Sequence, residues 1–166
     1  RGEYADLAPE LAKKVAKVLE KDVDKLLPAK ITERSALDKL SEVRGNGRTV
    51  YLSISEDIQV SAPDPASEIE LKKLLLALGF EVVDTRSKAA FAIICEAVAS
   101  NAGQYQKFNS ASARVELSIY SGKDNKLLAA GAVKETVASA TYIVAAKDAI
   151  AQATLRLAGQ LLTHIK

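Results

Sequence analysis

Residues 89–99 read AAFAIICEAVA, an apolar run that only Glu96 interrupts. A strand buried on one face alternates apolar with polar residues, whereas a strand covered on both faces has no need to. The run is therefore read as a strand with both faces covered, at the centre of a sheet. Cys95 lies inside it and is the only cysteine, so no intramolecular disulfide and no cysteine-based zinc site can form. No helix start or basic cluster stands beside this thiol to stabilise a thiolate. Cys95 is expected to be a small, buried and unreactive core residue.

Upstream of this run, FEVVD at 80–84 reads as a second strand, and Gly79 ends a helix whose Leu71, Leu74, Leu75 and Leu78 share one face. Asp64 and Pro65 form its start, with the Asp64 carboxylate expected as cap and proline at the first helical position. Earlier still, TVYLSIS at 49–55 alternates Val50, Leu52 and Ile54 with polar positions, the pattern of a half-buried strand. RGNGR at 44–48 supplies turn chemistry, and Thr32 caps a short helix through about Leu40. From Ala5 to Leu27 apolar residues recur at three and four, an amphipathic helix that Pro28 stops. Its other side carries Lys13, Lys14, Lys17, Lys21 and Lys25 among acidic residues, and a solvated face is the simpler reading of that basic stripe.

Downstream, SNAGQYQKFNSAS at 100–112 reads as a loop. Ala113, Val115, Leu117 and Ile119 then alternate with Arg114, Glu116, Ser118 and Tyr120, SGKDNK makes a turn, and a return strand begins at Leu127, an antiparallel hairpin. Ser139 or Thr141 caps a last helix to about Ile165, with Ile143, Ala146, Ile150, Ala153, Leu157 and Leu161 on one stripe. This order predicts an α/β (α+β) fold: a mixed sheet of about five strands, with a middle helix, a long C-terminal helix and an N-terminal helix packed against it. Residues 1–43 are an N-terminal helical segment packed on a core domain at 44–166, one domain overall.

Composition narrows the function. With 48% hydrophobic and 27% charged residues the chain is globular, and no run reaches the roughly 18 apolar residues a membrane span needs. Basic and acidic residues number 23 and 21, for a net charge of +2, too balanced for the broad basic face that nucleic acid requires. His164, the sole histidine, falls at the end of the terminal helix, where no triad can be assembled around it. No P-loop, GxGxxG, HExxH or GxSxG pattern occurs. Glu56 and Asp57, adjacent on a strand, point to opposite faces and read as surface charge. No catalytic residue, metal ligand or cofactor is expected.

Two features exceed the ordinary. The 100–112 stretch sets Tyr105, Lys107 and Phe108 among Gly, Asn, Gln and Ser, the composition of a recognition loop; the competing reading folds an aromatic back onto the core. The last helix carries only Lys147, Asp148 and Arg156 as charges between Ser139 and Ile165, so most of its circumference should be buried, by the rest of the fold or by another protein.

From Leu71 onward the chain resembles a superfamily of bacterial envelope domains that includes the amino-terminal domain of TolB, the periplasmic part of the curli-secretion lipoprotein CsgG, and the penicillin-binding-protein activator LpoB. The shared pattern is a helix ending in glycine, a strand like FEVVD followed by Arg86 and Ser87, an apolar strand, a hairpin like LSIYSGKDNKLL, and an alanine-rich terminal helix. TERSALDKL near Thr32 echoes the Arg-Ser element. The chain departs from the pattern in SISEDIQVSAP, in Cys95, which stands where these relatives often have glycine, and in lacking a lipid-accepting cysteine. The resemblance implies a non-enzymatic adaptor or assembly factor of the periplasm or outer membrane that binds proteins. Tyr105, Lys107 and Phe108 are the leading partner-binding candidates, and Lys13, Lys17 and Lys21 the secondary ones. A homo-oligomer is compatible with this, no DNA or RNA is expected, and membrane attachment would come only through an anchor upstream of Arg1. A small-ligand or nucleic-acid-binding module is the alternative, and an enzyme with an unrecognised site the less favoured one.

Overall fold

The apolar run at 89–99 forms the first part of the central strand of a five-stranded sheet in the computed structural model, which describes residues 30–166. The expected helix from Ala5 to Leu27, with Lys13, Lys17 and Lys21, lies outside the described residues. The elements in chain order are α1 (Glu33–Lys39), β1 (Thr49–Asp57), α2 (Ala66–Ala77), β2 (Glu81–Val83), β3 (Phe91–Tyr105), β4 (Phe108–Ser121), β5 (Leu127–Ser139) and α3 (Tyr142–Leu161). The strands lie in the order β2-β1-β3-β4-β5, parallel at β1–β2 and β1–β3 and antiparallel elsewhere, the mixed sheet expected. Parallel strands of one sheet, such as β2 and β3 on either side of β1, ordinarily need a long crossover between them. Here β2 is only three residues long, so the chain leaving Val83 has little distance to retrace before β3 begins.

The three helices share one face of the sheet. Ile93, Cys95 and Ala97 of β3 and Val115, Leu117 and Ile119 of β4 are buried together with Leu71, Leu74 and Leu75 of α2 and Ile150 and Leu157 of α3. The expectation that both faces of β3 are covered is corrected here. Glu96 and Ser100 are exposed, Ile94 is half-buried, and Val98 is 51% exposed. The only buried residue on that outward side of the run is Ala92, a small residue roofed by its direct neighbours Tyr51 and Tyr120. Apolar content alone cannot separate a two-sided strand from a one-sided one whose outward positions are alanine and valine.

Alanine and glycine bring α3 close. A Cβ added at Gly131 of β5 would lie 3.1 Å from a Leu157 methyl, so glycine there permits the approach. Eleven residues of α3 are buried, against β4, β5, α1 and α2, so its low charge reflects intramolecular packing. The hydroxyl of Thr141 accepts from the Val144 N–H at 3.3 Å and caps the helix, and Thr32 with Ser35 forms a capping box on α1. Ile31, Ala36, Leu40 and Val43 belong to the same core as the sheet.

At the lower end of the sheet, Gly45 lets the RGNGR turn press on the end of α2, where an added Cβ would sit 2.3 Å from the Gly79 backbone. Gly79 takes a left-handed φ of 84° and terminates α2 as expected. The Arg48 guanidinium stacks 5.3 Å from the Phe80 ring and 5.2 Å from the Phe91 ring, and it donates to the carbonyls of Arg44, Ile165 and Lys166. Arg86, of the Arg-Ser pair, donates to Asn125 Oδ1 at 2.6 Å and lies over Tyr120, fastening the β4–β5 turn to the β2–β3 connection.

Candidate functional site

The stretch from Ser100 to Ser112 is no loop. It is the distal half of a long hairpin in which β3 runs to Tyr105, β4 starts at Phe108, and only Gln106 and Lys107 turn, Gln106 with a left-handed φ of 52°. Periodicity fails here for a physical reason. Residues 101–108 are exposed, so no core lies beneath either face to impose alternation. The base of this arm is held firmly. The Tyr142 hydroxyl donates to one carbonyl and lies within hydrogen-bond distance of a second, Ile58 O at 2.8 Å and Ala99 O at 3.1 Å, and Asn109 Nδ2 donates to Ala140 O at 3.0 Å. Burial, and then the charge of Asp57, push the Tyr142 phenol above its ordinary pKa.

The bulge in this arm decides where Tyr105 points. Asn101 pairs with Ala111, yet Gly103 pairs with Ser110, so Ala102 is one residue extra on β3. Gly103 takes φ of 124° and its N–H donates to Asn101 Oδ1 at 2.7 Å. Before the bulge, odd-numbered residues of β3 face the helices; after it, Tyr105 faces outward with Phe108, its direct cross-strand partner. Tyr105 is 74% and Phe108 56% exposed, so neither folds back on the core. Lys107 sits exposed in the turn between them.

The same open face continues down the hairpin in rows set by the register. Below the aromatic pair come Gly103, Ser110 and Ala138, then Ser100, Ser112 and Thr136, then Val98, Arg114 and Lys134, then Glu96, Glu116 and Ala132. Ser100, Ser112, Val98, Arg114 and Lys134 of these rows line an open groove of about 410 Å³. Thr136 Oγ1 lies 3.3 Å from Ser112 Oγ, and Arg114 is bound to Glu116 at 2.7 Å.

A second polar cluster was not legible in the sequence. Glu56, expected at the surface, has a side chain only 4% exposed. One carboxylate oxygen accepts from the Ser67 N–H at 3.1 Å and the Ser67 hydroxyl at 2.9 Å, and the other from Lys147 Nζ at 2.7 Å. Glu56 therefore caps α2 from a neighbouring strand, in place of Asp64, whose φ of 56° turns it out of the cap position that Pro65 takes. Burial pushes its pKa up, but the Lys147 bond and the Ser67 and Ala66 N–H groups together prevail, and it lies below the ordinary value. Cys95 is fully buried beside Ser67, and desolvation raises its thiol to about 11. Lys147 also donates to Asp64 O at 2.9 Å, so every member is engaged and the cluster serves the fold. Among the described residues no group of His, Cys, Asp and Glu could hold a metal, and no helix is long and apolar enough to cross a membrane.

These features define an α+β domain with one helix-covered and one open sheet face. No family model matches the sequence, and no curated relative matches it. By structure the chain is similar to a DUF330-family protein from Xanthomonas campestris, with a TM-score of 0.54 and 12% identity over 73% of this chain and 87% of that one. It is similar to PelC from Paraburkholderia phytofirmans, a dodecamer, with a TM-score of 0.50 and 9% identity over 72% of this chain and 91% of that one. The LpoB C-terminal domain from Escherichia coli also matches, at a TM-score of 0.38 and 12% identity over 61% of this chain and 93% of that one, a likeness too slight to carry an argument. At these identities the comparisons establish the fold.

Proposed function

We propose that this chain is a non-enzymatic protein of the bacterial cell envelope, an adaptor or assembly factor of the periplasm or outer membrane that works by binding other proteins. The observation that carries the reading is the aromatic pair at the hairpin tip. Tyr105 and Phe108 stand side by side and exposed on an arm with no core beneath it, so their contact area is free for a partner. The envelope setting draws on the TolB-, CsgG- and LpoB-like pattern of the sequence from Leu71 onward. The PelC dodecamer makes further copies of this chain one class of partner to consider.

The test is site-specific photo-crosslinking in bacterial cells exporting the full chain. A crosslinker at Tyr105 should capture a discrete protein partner, whereas one at Lys72, exposed on α2, should not. Changing Phe108 to serine in the Tyr105 crosslinker chain should abolish capture. Equal capture from both positions, or none from Tyr105, contradicts the reading.

A further inference from the structure

Resting on that reading of the hairpin tip, we infer that the open face of the β3–β4 arm is a strip for an extended acidic segment of the partner protein. An apolar side chain of the segment sits against Tyr105 and Phe108, and a carboxylate four to six residues on sits in the groove beside Lys134. Three features of the strip meet here. The bulge at Ala102 turns Tyr105 onto the face that Phe108 already shares with Ser112 and Lys134; without it Tyr105 would lie on the opposite side of the arm from Phe108 and the groove. The floor between them carries only glycine, serine, alanine and threonine, which lets another backbone lie close. At its far end the charges are unequal in their freedom.

Arg114 and Lys134 are direct cross-strand partners, a like-charged pair that disfavours the sheet. Glu116 engages Arg114. Lys134 has no ion-pair partner among the described residues, and it lines the groove whose floor includes the Ser100 and Ser112 hydroxyls. A carboxylate there meets an unspent ammonium and hydroxyl donors. One row further, Glu96 faces Glu116 and repels an anion, so the carboxylate has one favoured position. At about 3.4 Å per residue, the cation row lies about 20 Å from Phe108 and the hydroxyl row about 14 Å, which sets the four-to-six-residue spacing.

Two fluorescein-labelled twelve-residue peptides test this by anisotropy against the full chain at low salt. One has a phenylalanine followed five residues later by two glutamates in a Gly-Ser background; the other replaces the glutamates by glutamines. The glutamate peptide should bind about threefold to fivefold more tightly, the size expected of an exposed charge pair, and 0.3 M salt should shrink the difference. Lys134→Glu should abolish or reverse it. The Tyr105→Ser/Phe108→Ser double variant should weaken both peptides at least tenfold while keeping their ratio. Equal binding of the two peptides, or a ratio unmoved by Lys134→Glu, overturns the groove assignment. Full affinity of the double-serine variant with the ratio intact sinks the aromatic reading and leaves the groove standing. Binding to phosphatidylglycerol vesicles that depends on Lys134, with neither peptide bound at millimolar concentration, also overturns the assignment, because the anion would then be a lipid headgroup.

Discussion

The two faces of β3 are built from one run of sequence and have opposite fates. Ile93, Cys95, Ala97 and Ala99 are sealed in the core on the helix side, while Ile94, Glu96, Val98 and Ser100 look outward from the same backbone. One face supplies stability, and the other is left free of it. Past Ala99 the contrast ends on β3, where every residue from Ser100 to Tyr105 is exposed whichever face it takes. Function is sought where the fold asks least of the side chains.

The largest effect should come from the covered face. Ile93→Ala should cost about 2 to 5 kcal/mol in urea unfolding, through lost burial and a residual cavity, whereas Val98→Ala, on the same strand, should cost less than about 0.5 kcal/mol. A similar loss at both positions would break the comparison. Glu56→Gln comes next, at about 1.5 to 3 kcal/mol, because it leaves Lys147 half-buried beside an uncharged partner and weakens the cap on α2. Because the folded carboxyl titrates below its unfolded value of 4.5, the stability it contributes is fully present above that pH and is lost as pH falls through the folded pKa. The acid limb of the stability curve should accordingly flatten in the glutamine variant, as followed by thermal melts from pH 6 down to pH 3. Tyr142→Phe should cost about 1 kcal/mol, by freeing the carbonyls at the base of the arm, and should speed amide exchange in the arm while leaving the core of β4 protected. The smallest effect belongs to the tip. Tyr105→Ser/Phe108→Ser should change the melting temperature by less than about 1 °C, since neither ring contributes to the core.

Much of this architecture could be read from residue order. Periodicity and turn residues located α2, α3 and the five strands, the Thr32 cap located α1, and of the two caps read for α3, Ser139 and Thr141, the structure uses Thr141; each of these signals is local. What escaped depends on partners distant in sequence. Glu56 is buried by Lys147, 91 residues away, and no pattern within TVYLSISED announces that pairing. The arm escaped for the opposite reason: with no core on either side, its residues carry no alternation, and a strand of Asn, Gly, Gln and Ser has the composition of a loop. The outward aim of Tyr105 depends on a single extra residue, Ala102, which changes the phase of β3 without leaving a mark in the composition. Tyr105 and Phe108 stand out by residue type alone, whereas Lys134 and Ser112 become their neighbours on one face only through the register of three strands.

The one-sidedness of the sheet is the claim on which the rest depends, and cysteine accessibility along β3 measures it directly. Single cysteines at positions 93, 96, 97, 98 and 100, introduced in a Cys95→Ala background, would be labelled by a thiol reagent in native buffer, with wild-type Cys95 as the buried reference. The account predicts rapid labelling at 96, 98 and 100, and slow labelling at 93 and 97 and of Cys95, whose burial holds its thiol near 11. Uniformly slow labelling at all these positions would mean that the second face is covered after all, and the open strip would be lost with it.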